Sequence, residues 1–430
     1  MGREIQNFEA LATTDLRRDA LTIAEAGYEA IDIRKALERG LTINGDTLSV
    51  SGKTYPLAGR RVFFIGVGKC AFAGAGAIEK ILGDRLTAGI ALDVSPIEGA
   101  MPTKIETYVG SHPLPSEVNE NATKRIIELL SDCTEDDLVL MLISGGGSTL
   151  LCLHTAPMTC FDESTLFEEL TARGAPIRDI NTVRKHISHA RGGNLAKAAY
   201  PAEVLSLIVS DVPGNDMNVI ASGPTILDTS TVAEARAVLD TYGVTAATNI
   251  EFLETPKEQM YFERVTNLLF LSSKNALEAM RSEAEKRGYA AAIADEQFDG
   301  EAHDTGRVIA QMLHGAPEKS AFLYAGESTV TLPSHHGAGG RNQEMALAVL
   351  EALHDDELIL PFASDGHDNT DHAGAIADAT TRAHTLEQNL SIPDFLDGHR
   401  AYDFFTSTND ALLTGYTGSN VSDLIIALKK

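Results

Sequence analysis

The sequence is poor in basic residues and in long apolar runs. Its 430 residues include 35 Lys and Arg against 61 Asp and Glu, which gives a formal net charge of −26. A nucleic-acid-binding surface requires clustered Lys and Arg, so this balance argues against a nucleic-acid partner. The longest apolar run, Leu138 to Ile143, is far short of the ~20 residues of a membrane helix. The charged N-terminal stretch also lacks the apolar core of a signal peptide. We therefore predict a cytoplasmic protein that does not bind membranes.

Cysteine is scarce as well. The four cysteines stand at positions 70, 133, 152 and 160, and no two of them have the C-x-x-C spacing of a zinc or redox motif. Free thiols are the default state in a reducing cytoplasm, and we predict that state for all four.

Short apolar runs alternate with helical patterns along most of the chain. This alternation predicts an α/β protein with mainly parallel sheets. The predicted strands are 61–67, 88–94, 106–110, 138–144, 204–210, 267–273, 290–295, 320–326 and 359–363. The predicted helices are 17–39, 70–82, 116–131, 162–173, 193–200, 231–242, 275–288, 301–314, 341–354 and 380–389.

A region without a convincing strand, 244–260, separates two halves of this pattern. We predict two domains, 1–250 and 251–430, and the helix at 17–39 could pack on either. Ligands of open α/β sheets bind outside the carboxyl ends of the strands, so the polar loops that follow predicted strands are the candidate sites.

The first such loop is a strand-to-helix turn around Lys69. Gly66, Gly68 and Ala71 satisfy the G-x-G-x-x-G/A pattern of a dinucleotide site, with Asp93 at the end of the next strand. A tight turn alone would require the same glycines. Lys69 adds a cation beside a helix N-terminus, which favours a bound anion.

The second loop, Ser144–Thr149, follows the most apolar strand. Its members Ser144, Gly145, Gly146, Gly147 and Ser148 offer backbone N–H groups and hydroxyls that can converge on an oxygen. A flexible linker has a similar composition, but the apolar residues on both sides argue against one.

The densest cationic stretch, residues 181–194, contains Arg184 and Lys185. A solvated helix face explains this composition as well as a binding site does. His186 and His189 could ligate a metal, although no third ligand is evident nearby.

Acidic residues follow other strands. Asp211 and Asn215 lie after strand 204–210, where an Asp can accept a proton from a hydroxyl, hold Mg²⁺ or simply cap a turn. In the second half, Glu327 follows a strand, and Asp365 and Asp368 follow another and could share Mg²⁺.

Arg341, Asn342 and Gln343 open a predicted helix after two glycines, where Arg341 could hold a carboxylate or phosphate through two parallel hydrogen bonds. Together with the other loops, this pattern fits either two α/β domains with ordinary turns or an interdomain cleft where a phosphate chain and a small anion meet at Mg²⁺. Spacing alone does not choose the reaction.

These blocks resemble the type II glycerate kinases, whose C-terminal part is called the MOFRL domain. The resemblance rests on FIGVGKCA, SGGGST, INTVRKHIS, ARGGNLAKAA, SDVPGNDMNVIASGPT, GESTVTL, GAGGRNQEMALA, SDGHDN and TGYTGSNVSDL. They occur in family order from about residue 60 to the C-terminus.

The resemblance implies two α/β domains around a deep cleft, the first of them Rossmann-like. It also implies an ATP- and Mg²⁺-dependent kinase that phosphorylates D-glycerate, most often on the 2-hydroxyl. The family's key positions fall on Lys69, Asp211, Arg341 and Asp365. We also predict that Asp368 is a metal ligand. Twelve further residues are predicted to bind glycerate or ATP, namely Gly68, Ser144, Gly145, Gly146, Gly147, Ser148, Arg184, Lys185, Asn215, Glu327, Asn342 and Gln343.

Two blocks depart from the family pattern. Asn369-Thr370-Asp371 is one residue shorter than the usual Gly-Pro-Thr-Asp, and Tyr416 replaces a proline. Both changes affect the rim of the expected cleft, so they bear on the substrate range more than on the reaction class.

Two other function classes fit parts of the sequence. One is an NAD(P)H-dependent hydroxypyruvate reductase that uses the Gly66–Ala71 turn, and the other is a nucleotide-sensing protein without turnover. The oligomeric state is left open, with a homodimer as one option.

Overall fold

The structure is a computed structural model that describes residues 3–96, 101–244 and 250–430. The α-helices are Phe8–Leu11 (α1), Asp15–Ile31 (α2), Ile33–Gly40 (α3), Ala71–Leu82 (α4), Glu117–Ser131 (α5), Gly147–Leu150 (α6), Cys160–Ala172 (α7), Ile177–Lys185 (α8), Asn194–Ala199 (α9), Val232–Thr241 (α10), Ser273–Lys286 (α11), Ala302–His314 (α12), Arg341–Val349 (α13), Ala379–Glu387 (α14), Ile392–Asp397 (α15) and Ala401–Thr408 (α16).

The strands are Leu41–Asn44 (β1), Thr47–Val50 (β2), Lys53–Pro56 (β3), Val62–Val67 (β4), Leu86–Asp93 (β5), Ile105–Val109 (β6), Leu138–Ile143 (β7), Glu203–Val209 (β8), Val265–Leu271 (β9), Ala290–Phe298 (β10), Ser320–Gly326 (β11), Glu357–Ala363 (β12), Gly374–Ala375 (β13), Ala377–Asp378 (β14), Ala411–Leu412 (β15) and Asp423–Lys429 (β16).

The chain forms two compact units, residues 33–270 and residues 1–32 together with 271–430. This division differs from the predicted limits of 1–250 and 251–430 at both ends, and the predicted boundary lies beside residues 245–249, which fall outside the described part of the chain. The predicted helix 17–39 is two helices, because the backbone of Asp32 leaves the helical region (φ −54°, ψ 111°). Helix α2 packs on α11 in one unit and α3 packs on α4 in the other.

The unit of residues 33–270 is built on a sheet with strand order β6-β5-β4-β7-β8-β9. The pairings from β6 to β8 are all parallel. Strands β4 and β7 are buried along their whole length, which explains their unbroken apolar runs, since helices cover both faces of a parallel sheet. The small antiparallel sheet β1-β2-β3 was not predicted.

The other unit is built on a mixed sheet, with order β10-β11-β16-β12-β13-β15 and β14 paired to β12. The last strand, β16, lies between β11 and β12 and is antiparallel to both. The α/β class is therefore confirmed, but this second sheet is mixed where a mainly parallel one was predicted. The final run, residues 423–429, was not predicted as a strand, although its burial on both faces explains its apolar sequence.

The prediction of four free thiols is wrong for Cys152 and Cys160, which form a disulfide. The chain between them folds back and brings their Cα atoms to 6.0 Å, within the usual range for a disulfide. Spacing along the sequence does not reveal this approach. Cys70 and Cys133 are buried free thiols, as predicted.

Among the described residues, the structure contains no helix that is both long and apolar enough to span a bilayer.

Candidate active site

The first candidate cluster lies at the carboxyl ends of β4 and β7. Strand β4 pairs with β5 on one side and β7 on the other, so the strand order reverses at this point. Ligands of open parallel sheets bind at such a switch point. The two predicted glycine-rich loops follow these two strands directly, and the structure brings them side by side.

The turn after β4 packs tightly on the loop after β7. The Lys69 N–H donates to the Gly145 carbonyl at 3.0 Å, and the Cys70 N–H donates to Ser144 Oγ at 3.3 Å. Gly68 has a φ of +116°, and a Cβ on it would lie 2.1 Å from Ser144 Oγ. Glycine at this position is therefore required both by backbone conformation and by space.

The second loop offers backbone donors beside the Lys69 side chain. Gly146 adopts φ +82°, and a Cβ on it would lie 3.4 Å from Lys69 Cγ. Among the described residues, the N–H groups of Gly145 and Gly146 donate to no backbone carbonyl. Successive backbone N–H groups in a turn of this kind form a concave anion site, and an adjacent ammonium group strengthens it. Ser148, in the first turn of α6, contacts Ser222 Oγ through its hydroxyl at 2.9 Å.

Asp93 occupies the N-terminus of α4 from the end of β5. Its carboxylate accepts N–H groups of Phe72 at 2.9 Å and of Val94 at 2.7 Å, and the side chain is buried. Burial raises the pKa of Asp93 to about 6, although these backbone N–H donors oppose the shift. The N-terminus of α4 is therefore already matched by a carboxylate of the chain, and the Gly145–Ser148 loop is the better anion site.

Asp211 and Asn215 follow β8, the strand next to β7. Asp211 is half-buried. Burial raises the pKa of the Cys70 thiol to about 12, and the charge of Asp211 adds to this shift. Asn215 ends a short 3₁₀ helix with φ +57°. Asp211 thus lies near the turn that carries Lys69.

The two cations of α8 are held by acidic side chains within the same unit. Lys185 Nζ lies 3.1 Å from Asp228 Oδ1, and both side chains are buried. The Arg184 guanidinium lies over the Phe167 ring at 4.3 Å, and its Nε is 3.6 Å from Glu163 Oε1. These contacts give both residues a structural role, and their predicted role in ligand binding stays a prediction.

A second cluster, in the unit of residues 1–32 and 271–430, surrounds Arg341. Its guanidinium donates through Nε to Asp423 and through Nη2 to Glu327 Oε1 at 3.0 Å. Burial lowers the pKa of Arg341, but Asp423 and Glu327 outweigh it and the net shift is upward. Burial raises the pKa of Asp423 to about 6, although the positive charge of Arg341 opposes this shift.

Asp368 fixes the N-terminus of α13. Its carboxylate accepts N–H groups of Asn342 at 3.1 Å and Gln343 at 2.8 Å, and both side-chain amides donate to it as well. Gly340 is required here, since a Cβ on it would lie 2.2 Å from Asp368 Oδ1. Burial raises the pKa of Asp368 to about 6, and Asp423 adds to the shift. These donors occupy both oxygens of Asp368. Asp365, on the same loop, accepts the His367 N–H through Oδ1 at 3.1 Å.

A cavity of about 460 Å³ opens beside Arg341 in the same unit. Its lining includes Ser328, Gly340, Arg341 and Glu344. Ser328 Oγ is buried and, among the described residues, has no hydrogen-bond partner. A buried hydroxyl without a partner is costly unless a ligand or water supplies one, so this cavity is suited to a small polar ligand.

Sequence reasoning missed Asp423, which pairs with Arg341. Asp423 is the aspartate of the block TGYTGSNVSDL, and it opens a buried strand that was not predicted. The sequence signal that could have identified Asp423 is a charged residue at the start of an apolar run near the C-terminus. Glu163 was also missed. It lies inside a predicted helix, and nothing in its spacing distinguishes it from a solvent-facing acid.

Comparison with known proteins places this geometry in a family. Residues 320–423 match the MOFRL family, and residues 19–255 match a family described as a domain of unknown function, DUF4147. The chain is 34% identical to a protein named glycerate 2-kinase from Pyrococcus horikoshii, across 96% of this chain and 97% of that one. It is 35% identical to D-glycerate 2-kinase from Thermotoga maritima, across 86% and 90%.

A protein from Agrobacterium vitis that carries the provisional name hydroxypyruvate reductase is 36% identical, across 85% of this chain and 86% of that protein. Among solved structures, the crystal structure of glycerate kinase from Thermotoga maritima superimposes with a TM-score of 0.85 at 32% identity. The match covers 96% of this chain and 99% of that one. Matches of this extent across both units show that the chain belongs to the family of glycerate kinases with a C-terminal MOFRL domain.

Proposed function

We propose that this protein transfers the terminal phosphoryl group of ATP to the 2-hydroxyl of D-glycerate in the presence of Mg²⁺. The observation that carries the proposal is the pairing of Lys69 with the Gly145–Ser148 loop at the switch point of the parallel sheet. The names of the Pyrococcus and Thermotoga relatives support glycerate as the phosphoryl acceptor and its 2-hydroxyl as the position of transfer.

Phosphoryl transfer requires the protein mainly to position the reactants and to neutralise charge. Lys69 and the N–H groups of Gly145 and Gly146 are suited to the phosphate oxygens. In a chain with a net charge of −26, such local donors must overcome an unfavourable overall field.

The glycerate carboxylate requires a cation of its own. Arg341 lines the 460 Å³ cavity, and its acidic partners at Nε and Nη2 orient the guanidinium. Among the described residues Nη1 has no hydrogen-bond partner, so it can bind a ligand. Ser328 Oγ can supply a second hydrogen bond in the same cavity. This pairing of a fixed guanidinium with a hydroxyl suits a small hydroxy acid.

Asp211 is suited to orient the attacking hydroxyl and to accept its proton as the new oxygen–phosphorus bond forms. Mg²⁺ prefers carboxylate oxygens, and when bound it would neutralise phosphate charge. Asp365 and Asp368 are the candidate ligands.

The name of the Agrobacterium relative supports the alternative hypothesis of a hydroxypyruvate reductase. The environment of Asp93 argues against that hypothesis. In a dinucleotide site the acid after the second strand binds the ribose hydroxyls. Here Asp93 is buried and its oxygens accept backbone N–H groups, so it does not present itself to a ribose.

The test is phosphorus and proton NMR of the product formed from ATP, Mg²⁺ and D-glycerate. We expect 2-phosphoglycerate, and no product from L-glycerate as the matched substrate control. A parallel assay with NADH and hydroxypyruvate should show no oxidation of NADH. Oxidation of NADH without phosphorylation of glycerate would favour the reductase hypothesis over the kinase. ATP binding without turnover would favour a nucleotide-sensing protein.

A further inference from the structure

A buried group of metal-binding side chains lies where the segment after α6 meets the first turn of α7. We call Cys152, His154, Cys160 and Glu163 the Cys152 cluster. Cys152 and Cys160 are buried and joined by the disulfide, and the side chains of His154 and Glu163 are each 2% exposed. The cluster plays no part in the function proposed above.

The donor atoms of the cluster are closely spaced. Cys152 Sγ lies 3.4 Å from His154 Nε2 and 3.5 Å from Glu163 Oε2. The ligand atoms of Cys152, His154 and Cys160 all lie within 4.8 Å of one another. Neighbouring ligands of a tetrahedral zinc ion are roughly 3.3–3.8 Å apart, given Zn–N and Zn–S bond lengths of about 2.0 and 2.3 Å. The two Cys152 distances lie within this range.

The tautomer of His154 points its metal-binding nitrogen into the cluster. Its Nδ1 lies 2.6 Å from the Ile187 carbonyl oxygen, which can only accept, so Nδ1 carries a proton. Its Nε2 faces Glu163 Oε2 at 2.6 Å, so a proton lies between these two atoms. A metal ion bound to Nε2 would displace that proton. A hydrogen bond from the far ring nitrogen to a carbonyl is also the usual support of a metal-bound histidine.

Glu163 is held as a carboxylate from its other side. Arg191 Nη1 and Nη2 each lie 3.0 Å from one of its two oxygens, and both side chains are buried. This pairing keeps Glu163 as a carboxylate beside Cys152 Sγ and His154 Nε2.

We propose that the reduced Cys152 cluster binds one zinc-class divalent ion through the two Sγ atoms and His154 Nε2, and that the disulfide is the metal-free state of the same site. Thiolate and imidazole ligands select a borderline-soft ion of this class over Mg²⁺ or Ca²⁺. The chain between the two cysteines includes the exposed residues Ala156, Pro157 and Thr159, so this segment borders solvent.

A small dithiol can act as the reductant that converts the disulfide state into the reduced state. The dithiol gives two electrons to the protein disulfide, its own sulfurs form a new disulfide, and its two protons pass to the sulfurs of Cys152 and Cys160. Binding of the ion then releases those two protons and the proton between His154 and Glu163 to solvent, because thiolates and a neutral imidazole are the ligands.

The experiment titrates the full-length protein with Zn²⁺ against a chromophoric chelator, after reduction and after oxidation by a disulfide-forming reagent. We expect one Zn²⁺ per chain in the reduced protein and affinity at least 100-fold weaker after oxidation. Co²⁺ in place of Zn²⁺ should give a thiolate-to-cobalt charge-transfer band in the reduced protein alone.

The variants separate this site from others. His314, His354 and Glu357 form a second group that could take up Zn²⁺, so all proteins carry His354→Ala. Cys152→Ser should abolish the charge-transfer band or reduce it strongly, and Cys133→Ser, which changes a buried free thiol elsewhere in the unit, should leave it intact.

His154→Gln should keep the band and weaken Zn²⁺ binding by about 10- to 100-fold. Full affinity in that variant would remove His154 from the site. Stoichiometric Zn²⁺ binding that survives Cys152→Ser would overturn the proposal. So would a reduced parent protein that binds no Zn²⁺, and this measurement does not depend on the folding of any cysteine variant.

Discussion

The Lys69 side chain lies beside Gly146 of the second glycine loop, and Lys69→Ala tests its role. We expect turnover to fall by ~10²-fold or more, as when a preorganised donor to transition-state charge is lost. Lys80→Ala is the matched control, because Lys80 lies on the helix that follows and is exposed beside Glu38. Steady-state kinetics measure the effect, and thermal melting should show little change in either variant. Near-normal turnover of Lys69→Ala would remove it from the site.

Arg341 is expected to act through its planar guanidinium, which two acids already orient. Arg341→Lys keeps the charge but loses the fixed fork, so we expect kcat/KM for glycerate to fall by ~10-fold or more. Arg341→Ala is a poorer test, since it would leave Asp423 buried without its partner at a cost of about 3–5 kcal/mol. Arg307→Lys, at an exposed arginine of the same unit, is the control. Equal kinetics of Arg341→Lys and the parent protein would show that the planar guanidinium is not required.

The two aspartates after β8 and β12 should respond differently to Mg²⁺. A residue that orients the hydroxyl lowers the maximal rate at every metal concentration, whereas lost metal affinity is offset by mass action. We therefore expect Asp211→Asn to stay inactive and Asp365→Asn to recover partly as Mg²⁺ is raised. The measurement is the rate across a Mg²⁺ titration, with the parent protein as reference. Recovery of Asp211→Asn alone would exchange the two roles.

Side chains that follow neighbouring strands were predictable, and those whose partners lie far along the chain were not. Lys69 and Ser144 meet because β4 and β7 pair in register, which strand order implies. Lys185 looked equally suited to an anion by composition. Its partner Asp228 stands 43 residues further on, in a loop whose path no local pattern indicates.

The Gly68 turn and helix α4 allow a test of why glycine is needed after β4. Gly68→Ala should lower both activity and the free energy of unfolding, because its φ of +116° is strained for alanine and its Cβ would displace Ser144. Gly76→Ala, in the exposed part of α4 with nothing within 4 Å of its Cβ position, should instead stabilise by ~0.5–1 kcal/mol and leave activity unchanged. Urea unfolding and kinetics measure both. Parallel behaviour of the two variants would mean that close packing at Gly68 is unimportant.

Elements with a clear period were predicted within a few residues, including the strands β4, β7 and β8 and the helix α5. The failures have physical causes. The apolar pattern of 17–39 continues across Asp32, but its two halves bury their faces on different partners, so periodicity alone could not show the break. Strand β16 lies between strands that stand far apart in sequence, and its antiparallel direction is a tertiary property.

The whole molecule carries more acid than its cations can match. If every Lys and Arg were paired, 26 carboxylates would still have no basic partner. Exposed ion pairs each contribute about 0–1 kcal/mol, so many of the pairs at the surface offset this repulsion only in part. Repulsion among the unmatched acids therefore dominates the long-range electrostatics, and it opposes the compact state.

Salt should accordingly stabilise the fold, because the Debye length shortens from about 30 Å at 0.01 M to about 10 Å at 0.1 M and screens the repulsion. We expect the melting temperature to rise over this range of NaCl, by about 2–4 °C or less for each kcal/mol of repulsion relieved. The matched comparison is a triple variant, Glu135→Lys, Glu168→Lys and Glu351→Lys, at three exposed positions, which raises the net charge by six. It should melt higher than the parent protein at low salt and respond less to added NaCl. A melting temperature that falls with NaCl, or an equal response of both proteins, would show that paired surface charges outweigh the excess of acid.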